Sequence, residues 1–182
     1  FSGYSNLKSV VLPESLVSIG NYAFNECTKL ESITIPDTVT VIEEGAFSNC
    51  DNLTSVIIPD SVTTIGNYAF WGCGNLAYNI YNNAKYLGNK NNPYHILVES
   101  TSENIKSCDI HNKTKLISSY AFSYCSDLTR VTLGNSVTQI AYGAFSGCSS
   151  LTNVVLPNSL TSIGEQAFAY CDSLTSVEIP NS

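Results

Sequence analysis

Histidine, the side chain that most often acts as a catalytic acid or base, is scarce in this chain and occurs only as His95 and His111. Cys108 and His111 form a C-x-x-H pair, a spacing that suits a metal-ligand pair or a nucleophile and its base. Because side chains alternate across a strand, we expect Cys108 to point inward and His111 outward, so the two do not converge. Glu43 and Glu44 are adjacent on a predicted exposed turn, and no G-x-S-x-G or phosphate-loop motif occurs. The sequence therefore predicts no catalytic residues and no enzyme activity.

Six of the seven cysteines occupy one repeated position, the third after a phenylalanine. They are Cys27, Cys50, Cys73, Cys125, Cys148 and Cys171. Metal sites need clustered ligands, whereas this spacing places one thiol on each repeat, so we predict no metal and no cofactor. Disulfides between adjacent repeats require converging Cβ vectors, and an extracellular location would favour them. The favoured interpretation is that each Cys is a small, buried apolar residue.

These cysteines belong to a tandem repeat that the phenylalanines also mark. The phenylalanines are Phe1, Phe24, Phe47, Phe70, Phe122, Phe145 and Phe168. Their spacing is constant along the chain except between Phe70 and Phe122, where it is longer. Five of the six prolines share another fixed position in the repeat. Self-similarity at a period of about 23 residues is typical of a repeat architecture.

One unit reads, from Leu53, L-T-S-V-I-I-P-D-S-V-T-T-I-G-N-Y-A-F-W-G-C-G-N. Its opening matches the L-x-x-L-x-L strand pattern of leucine-rich repeats, with Leu53, Val56 and Ile58 facing the core. Pro59 follows the strand, where it ends the ladder without losing a needed N–H group. We expect a short helical or 3₁₀ turn over 69–73 to form the outer wall. The predicted fold is an α/β repeat: a right-handed leucine-rich-repeat solenoid with a concave parallel sheet and convex helical or 3₁₀ turns.

Eight strand units fill residues 1–182, which we interpret as a single solenoid. The unit at 76–104 is irregular, because it is longer than its neighbours and lacks the repeated Phe and Cys. Two of its segments resemble strands, Ala84–Leu87 and Tyr94–Glu99, and Gly88–Pro93 between them is rich in turn residues. We therefore predict a β-hairpin in place of the outer turn of this unit.

The charge balance excludes two classes of partner. The chain has 8 basic and 15 acidic residues, which give a net charge of −7. Sequence-independent binding to nucleic acid or to an anionic membrane requires clustered Lys and Arg, so neither partner is expected. No apolar run approaches the roughly 18–20 residues that span a bilayer, so we expect no membrane insertion by this segment.

The repeat pattern S-V-T-x-I-G-x-x-A-F-x-x-C-x-x-L-T-S-V-x-I-P resembles the BspA-like leucine-rich-repeat proteins of bacterial cell surfaces. The resemblance covers essentially the whole chain apart from the irregular unit. It implies an extracellular or cell-surface location and adhesion to host or neighbouring-cell proteins, and it carries over no catalytic residues. Because the chain begins and ends within a unit, we expect it to be a fragment of a longer array.

The concave sheet is the predicted binding surface, since solenoids commonly bind partners on such a face. The outward positions expected to contact a partner are Ser32, Thr34, Ser55, Ile57, Tyr78, Ile80, Arg130, Thr132, Asn153, Val155, Ser176 and Glu178. A protein partner is expected, with a glycan as the other possibility, and the chain is expected to act as a monomer. Strand propensity alone also explains the β-branched residues in this set. The competing hypothesis is therefore a structural spacer that binds nothing.

Aromatic residues near the irregular unit form a second candidate surface. Trp71 is the only tryptophan, and Tyr86 and Tyr94 lie nearby in sequence. Trp and Tyr are favoured interface residues, so these three side chains could anchor a partner. The favoured interpretation, however, is that Trp71 packs beneath the predicted hairpin, because burial of a large aromatic side chain is itself stabilising.

Overall fold

The computed structural model describes residues 1–180 of the chain, which divide into two compact units. Unit 1 consists of Phe1–Tyr78 and Leu87–Pro93, and unit 2 consists of Asn79–Tyr86 and the chain from Tyr94 onward. Repeats of the same design build both units. The expectation of a single solenoid over 1–182 stays a prediction.

The first strand of each repeat, which we call the Leu strand, pairs in parallel with its neighbour. These strands are β2 (Ser32–Thr34) and β4 (Ser55–Ile57) in unit 1, and β9 (Ser107–Asp109) and β11 (Arg130–Thr132) in unit 2. Single bridges from Arg130 to Asn153 and from Val155 to Glu178 continue the pairing in unit 2. The central residue of each strand is buried, whereas its two neighbours face outward, as the L-x-x-L-x-L pattern predicts.

A second parallel ladder lies later in each repeat, at the segment that follows the proline. It contains β1 (Ser18–Ile19), β3 (Val41–Ile42) and β5 (Thr64–Ile65) in unit 1, and β10 (Leu116–Ile117), β12 (Gln139–Ile140) and β13 (Ser162–Ile163) in unit 2. The isoleucines of β3 and β5 point into the core. The sequence pattern predicted this inward direction but not the backbone pairing.

The outer turns are not helical, so the prediction of helical or 3₁₀ turns there is wrong: residues 1–180 contain no helix. Their backbone N–H groups bond across to the next repeat. The N–H of Tyr22 donates to the carbonyl of Glu44 at 2.7 Å, and that of Phe24 to Ala46 at 2.8 Å. In each outer turn two residues four positions apart have positive φ, for example Tyr22 at 55° and Glu26 at 59°. Left-handed residues at this spacing prevent a continuous right-handed helix.

The irregular unit contributes β6 (Asn79–Tyr81), β7 (Ala84–Leu87) and β8 (Ile96–Ser100). The predicted strands near 84–87 and 94–99 are therefore confirmed as β7 and β8, which are adjacent in one sheet. Lys85 and Glu99 form an ion pair of 2.7 Å. β8 also pairs in parallel with β10, which joins the irregular unit to the second ladder of unit 2.

A hairpin that the sequence did not predict lies one strand earlier, between β6 and β7. These strands pair antiparallel around Asn82 and Asn83, whose φ angles are 43° and 66°. Asparagine tolerates the left-handed conformation that two-residue hairpin turns require. The consequence is a correction at β6. Ile80 was expected on the outward side of the parallel Leu-strand ladder, but all three residues of β6 are exposed and the strand pairs with β7 instead.

A column of stacked phenylalanines runs through the core of each unit. In unit 1 the ring centroids of Phe1, Phe24, Phe47 and Phe70 are 5.6, 5.4 and 5.3 Å apart in succession. In unit 2 the spacings of Phe122, Phe145 and Phe168 are 5.1 and 5.2 Å. One repeat cannot bury its own apolar face, but stacking of neighbours produces a continuous core.

Candidate binding surfaces

The outward side chains of the Leu strands, which we call the Leu-strand face, form an uncharged patch in unit 1. Ser32 lies opposite Ser55, and Thr34 lies opposite Ile57. All four are exposed, and Ile57 exposes half of its surface. The buried neighbours Ile33 and Val56 fix the direction of these side chains, because residues alternate between the two faces of a strand. The structure thus brings together the four predicted residues of these two strands.

A shallow depression of about 550 Å³ lies beside this patch in unit 1. It is lined by Lys8, Lys29, Glu31, Asn52 and Thr54. The sequence analysis did not identify these residues, because they precede the outward positions of the strands. Lys29 donates a hydrogen bond to Asn6 at 2.8 Å, which holds its ammonium group near the surface. The side chains that line it are polar, so this depression can supply hydrogen bonds to a partner bound on the neighbouring patch.

Six predicted residues lie on the Leu-strand face of unit 2: Arg130, Thr132, Asn153, Val155, Ser176 and Glu178. All are exposed, and Val155 exposes 73% of its surface. Parallel bridges join Arg130 to Asn153 and Val155 to Glu178, so these side chains follow one another across the face. Unlike unit 1, this face combines an apolar centre with charged groups.

One of its charged groups is already paired. The guanidinium of Arg130 contacts the carboxylate of Asp109 at 2.7 Å and also donates to Thr132 Oγ1 at 2.8 Å. Hydrogen bonds from Arg130 and then from Thr132 and Asn82 keep the pKa of Asp109 below its usual value of 3.8. The positive charge of Arg130 is therefore offset by Asp109 at neutral pH. The ion pair also fixes the orientation of the planar guanidinium group.

Two adjoining depressions lie on this face, with volumes of about 660 and 330 Å³. Asn153 and Val155 line both of them. Arg130 and Thr132 border the larger one, which also has Leu133 and Pro157 in its wall, and Glu178 borders the smaller. Sequence reasoning missed Asn135 and Asn158, which also line them. Their common position, directly after the Pro or Gly that ends a Leu strand, was an available signal.

Tyr78 and Ile80 do not lie on a Leu strand, in contrast to the prediction. Tyr78 is half-buried and belongs to unit 1, whereas Ile80 belongs to unit 2 and exposes 57% of its surface. Ile80 lies in β6, which pairs antiparallel with β7. The physical cause is the turn at Asn82 and Asn83, which reverses the chain where a regular repeat continues forward.

The predicted aromatic cluster has different environments at its three members. Trp71 exposes 59% of its surface and packs edge-to-face on Tyr68 at 6.0 Å, so its predicted burial beneath the hairpin is wrong. Tyr86 is fully buried and packs on Tyr94 at 5.5 Å, so its side chain is unavailable to a partner. Tyr94 stacks on His111, with the ring centroids 4.1 Å apart. Tyr86 and Tyr94 thus serve packing within unit 2.

His111 is held in place by its ring contact with Tyr94 and by a backbone hydrogen bond. Its Nδ1 accepts a hydrogen bond from the N–H of Lys113 at 3.1 Å, and partial burial lowers its pKa below 6.5. Cys108 is fully buried and donates its S–H to the carbonyl of Asn82 at 3.0 Å. The expected inward direction of Cys108 is confirmed, and burial raises its thiol pKa to about 12.

The repeated cysteines are buried and form no disulfides, as the favoured interpretation predicted. They also have a role that the sequence did not indicate. The thiol of Cys50 lies 3.1 Å from the carbonyl of Phe24, and that of Cys73 lies 3.1 Å from the carbonyl of Phe47. Cys148 and its neighbour Cys171 repeat this geometry in unit 2. Each of these four thiols therefore adds a weak hydrogen bond to a phenylalanine carbonyl one repeat earlier, whereas Cys125 lies 3.5 Å from Ser100 Oγ instead.

Neither a metal cluster nor a membrane span is found in the part of the chain that the structure describes. Residues 1–180 hold no group of three or more His, Cys, Asp or Glu side chains arranged to bind a metal ion. Over the same range, no helix has the length and apolar character needed to cross a membrane.

Comparison with known families tests the resemblance seen in the repeat. The profile of the BspA-type leucine-rich-repeat region matches six copies over residues 1–91 and 100–182. The chain belongs to the BspA-type leucine-rich-repeat family. The short unmatched segment of this BspA-type chain falls in the irregular unit, where the structure shows β8 instead of the regular pattern. No curated protein matches the sequence.

Solved structures similar to this BspA-type chain come from bacteria. A leucine-rich-repeat protein of Eubacterium ventriosum has 25% identity over 89% of this chain and 57% of its own, with a TM-score of 0.50. A leucine-rich-repeat protein of Bacteroides ovatus has 31% identity over 100% of this chain and 40% of its own, with a TM-score of 0.48. A leucine-rich cell surface protein of Faecalibacterium prausnitzii has 25% identity over 94% and 59%, with a TM-score of 0.41.

The first of these similarities supports the leucine-rich-repeat solenoid fold, in agreement with the parallel ladders described above. The BspA-type chain spans 40% of the Bacteroides protein and 57% of the Eubacterium protein. Fold and family alone do not specify a ligand, because function depends on the site that a fold displays.

Proposed function

We propose that this chain is a non-enzymatic binding module of a secreted or cell-surface protein. In this proposal its Leu-strand faces bind extracellular proteins of a host or of neighbouring cells. The observation that carries the proposal is the exposure of β-branched side chains at positions where the strand could display polar residues. Ile57 in unit 1 and Val155 in unit 2 are half or more exposed. Exposed apolar residues grouped with polar neighbours are typical of interaction surfaces.

The remainder of the structure supports binding over catalysis. The Leu strands hold their outward side chains on a rigid backbone ladder, which lowers the entropy lost when a partner docks. Asp109 and Arg130 are paired with each other, and His111 is occupied by Tyr94 and Lys113. No described arrangement joins a nucleophile to a base, so binding is the activity that the geometry supports best.

Family membership supports an extracellular or cell-surface location, and a protein partner is proposed ahead of a glycan. The faces display Ser, Thr, Val and Ile but few aromatic rings. Interfaces are enriched in aromatic residues and Arg, so a partner that itself provides those anchors would complement this surface. The proposed module acts as a monomer.

The test is a binding screen against immobilised matrix and mucosal proteins. The native chain is compared with a triple variant carrying Ile57→Lys, Thr132→Lys and Val155→Lys. A matched control carries Ser18→Lys, Thr64→Lys and Ser162→Lys, which adds the same charge to exposed strand positions of the second ladder. All three proteins are first checked for equal thermal stability.

The proposal expects binding by the native chain and by the control, with at least about a tenfold loss of affinity in the face variant, since desolvated lysines oppose docking. Equal binding by all three proteins would move the site away from the Leu-strand faces. Absence of binding by the native chain to every protein in the panel would favour the structural spacer instead.

A further inference from the structure

The Leu-strand face of unit 2 is divided into two adjoining depressions. Its larger depression, of about 660 Å³, has apolar walls from Val155, Leu133 and Pro157. Its smaller depression, of about 330 Å³, is bordered by the carboxylate of Glu178. Because Val155 lines both, the apolar and acidic parts adjoin one another. The two parts suit different side chains of one ligand.

Of the charged residues on this face, Arg130 forms an ion pair within the described residues 1–180 and Glu178 does not. Arg130 is neutralised by Asp109 at 2.7 Å, so the pair contributes little net charge to the surface. Glu178, in contrast, is exposed and forms no ion pair with any residue of the range 1–180. A cationic group on a partner is therefore favoured beside Glu178.

Hydrogen-bonding groups surround the two depressions. The side-chain amides of Asn135, Asn153 and Asn158 line them and form no hydrogen bond within the described residues 1–180. An amide offers both a donor and an acceptor, which matches the N–H and C=O groups of an extended peptide. Exposed amides of this kind cost little to leave in water and can add specificity when a chain docks.

From these observations we infer that the Leu-strand face of unit 2 binds a protein segment with an apolar side chain next to a basic one. The apolar side chain occupies the larger depression against Val155, and the Lys or Arg pairs with Glu178. The asparagine amides bond to the backbone of the segment. This inference rests on the proposed function, because it assumes that the Leu-strand face is a binding surface, and it specifies the chemistry of the partner.

The probe is a phage-displayed library of random twelve-residue peptides, selected on the immobilised native chain. The enriched sequences are then made as synthetic peptides, together with versions in which each Lys or Arg is replaced by Glu. Affinities are measured for the native chain and for Val155→Ser and Glu178→Lys. The control is Glu165→Lys, which makes the same charge reversal at an exposed outer-turn residue of unit 2.

The expected peptides combine an aromatic or aliphatic residue with a nearby Lys or Arg. Val155→Ser and Glu178→Lys should each weaken their binding by about tenfold or more, whereas Glu165→Lys should leave it within about twofold. The Glu-substituted peptides should bind Glu178→Lys better than they bind the native chain. Such a charge exchange distinguishes a direct pair from a general loss of folding, because a misfolded variant would bind neither peptide.

Three results would overturn the inference. These are enrichment of no peptide, enrichment of peptides without basic residues, and equal binding by Glu178→Lys and the native chain. The screen with whole proteins separates these failures from failure of the proposed function. The triple lysine variant could fail to bind a matrix protein that the native chain binds, while the peptides bind the native chain and Glu178→Lys equally well. In that case the Leu-strand faces are still the binding surface, but the partner has a different chemistry. If peptides bind as expected but no extracellular protein does, the class of partner is wrong.

Discussion

At the scale of single residues, the thiol position explains why cysteine occurs once in each regular repeat. Cys50 fits a fully buried space and its S–H reaches the carbonyl of Phe24 at 3.1 Å. Alanine would fit the same space without supplying a donor. Serine would supply a donor with a smaller and more polar side chain. The fixed position thus combines apolar packing with a second, weak hydrogen bond to a carbonyl that the N–H of Cys27 already contacts.

Two substitutions at Cys50 should therefore lower stability by different amounts. The Phe24 carbonyl also accepts the N–H of Cys27, so Cys50→Ala removes only its second donor and should lower the free energy of unfolding by about 1 kcal/mol. Cys50→Ser should cost less, because its hydroxyl can still donate to that carbonyl. Urea unfolding of the three proteins under reducing conditions measures both changes. A serine variant less stable than the alanine variant would show that apolar packing alone selects cysteine here.

At the scale of elements, the outer turns replace a helix with bonds between repeats. Their left-handed positions place some rings directly over a glycine of the next repeat. Gly45 has a φ of 59°, and a Cβ built there would lie 2.4 Å from the ring of Tyr22. Gly143 and Tyr120 repeat this arrangement in unit 2, where the separation is 2.9 Å. The turn therefore needs glycine both for its backbone conformation and for the space under the ring.

The prediction for this element compares two glycines. Gly45→Ala should lower the free energy of unfolding by about 1–2 kcal/mol from the left-handed conformation alone, with a further loss from displacement of Tyr22. Gly74→Ala is the control, because its Cβ would meet no atom within 4 Å and its φ is not positive. Thermal and urea unfolding measure both variants. Equal stability of the two variants would mean that the outer turn adapts to a side chain at Gly45.

At the scale of the molecule, stability within a unit comes from contacts between neighbouring repeats. The thiol and hydroxyl hydrogen bonds of one repeat reach carbonyls of the repeat before it, and the phenylalanine rings stack one repeat on the next. In such an architecture the free energy of unfolding is approximately the sum of one contribution from each repeat and one from each interface between neighbouring repeats. A residue that packs between two repeats therefore supports two interfaces.

Phenylalanines of unit 1 test this dependence on position. Phe47 is fully buried between Phe24 and Phe70, so Phe47→Ala should lower the free energy of unfolding by about 3–5 kcal/mol. Phe1 is 60% exposed and stacks on one phenylalanine, so Phe1→Ala should cost about 1 kcal/mol or less. Denaturant unfolding measures the difference in stability between the two variants, provided that each has the secondary-structure signal of the native chain before denaturant is added. A similar cost at both positions would contradict additive coupling between neighbours.

The sequence by itself determined the repeat, the family and the alternation of buried and outward residues in the regular Leu strands. The spacing of Phe, Cys and Pro sets which side chains face the core, because stacked copies must bury the same positions. Ile57 and Val155 were placed on the outward face by that argument alone, and both are exposed.

The partners of the backbone hydrogen bonds are set by the packing of one repeat on the next. The repeat period does not indicate whether an outer-turn N–H bonds within its own turn or to a carbonyl of the neighbouring repeat. The left-handed residues of the turn direct these N–H groups to the neighbouring repeat. The same limit applies to β6, whose turn at Asn82 and Asn83 removed Ile80 from the Leu-strand ladder. The pairing of Arg130 with Asp109, which leaves Glu178 as the uncompensated charge, depends on neighbours from another repeat. These features arise from contacts between residues distant in sequence, which a local pattern does not contain.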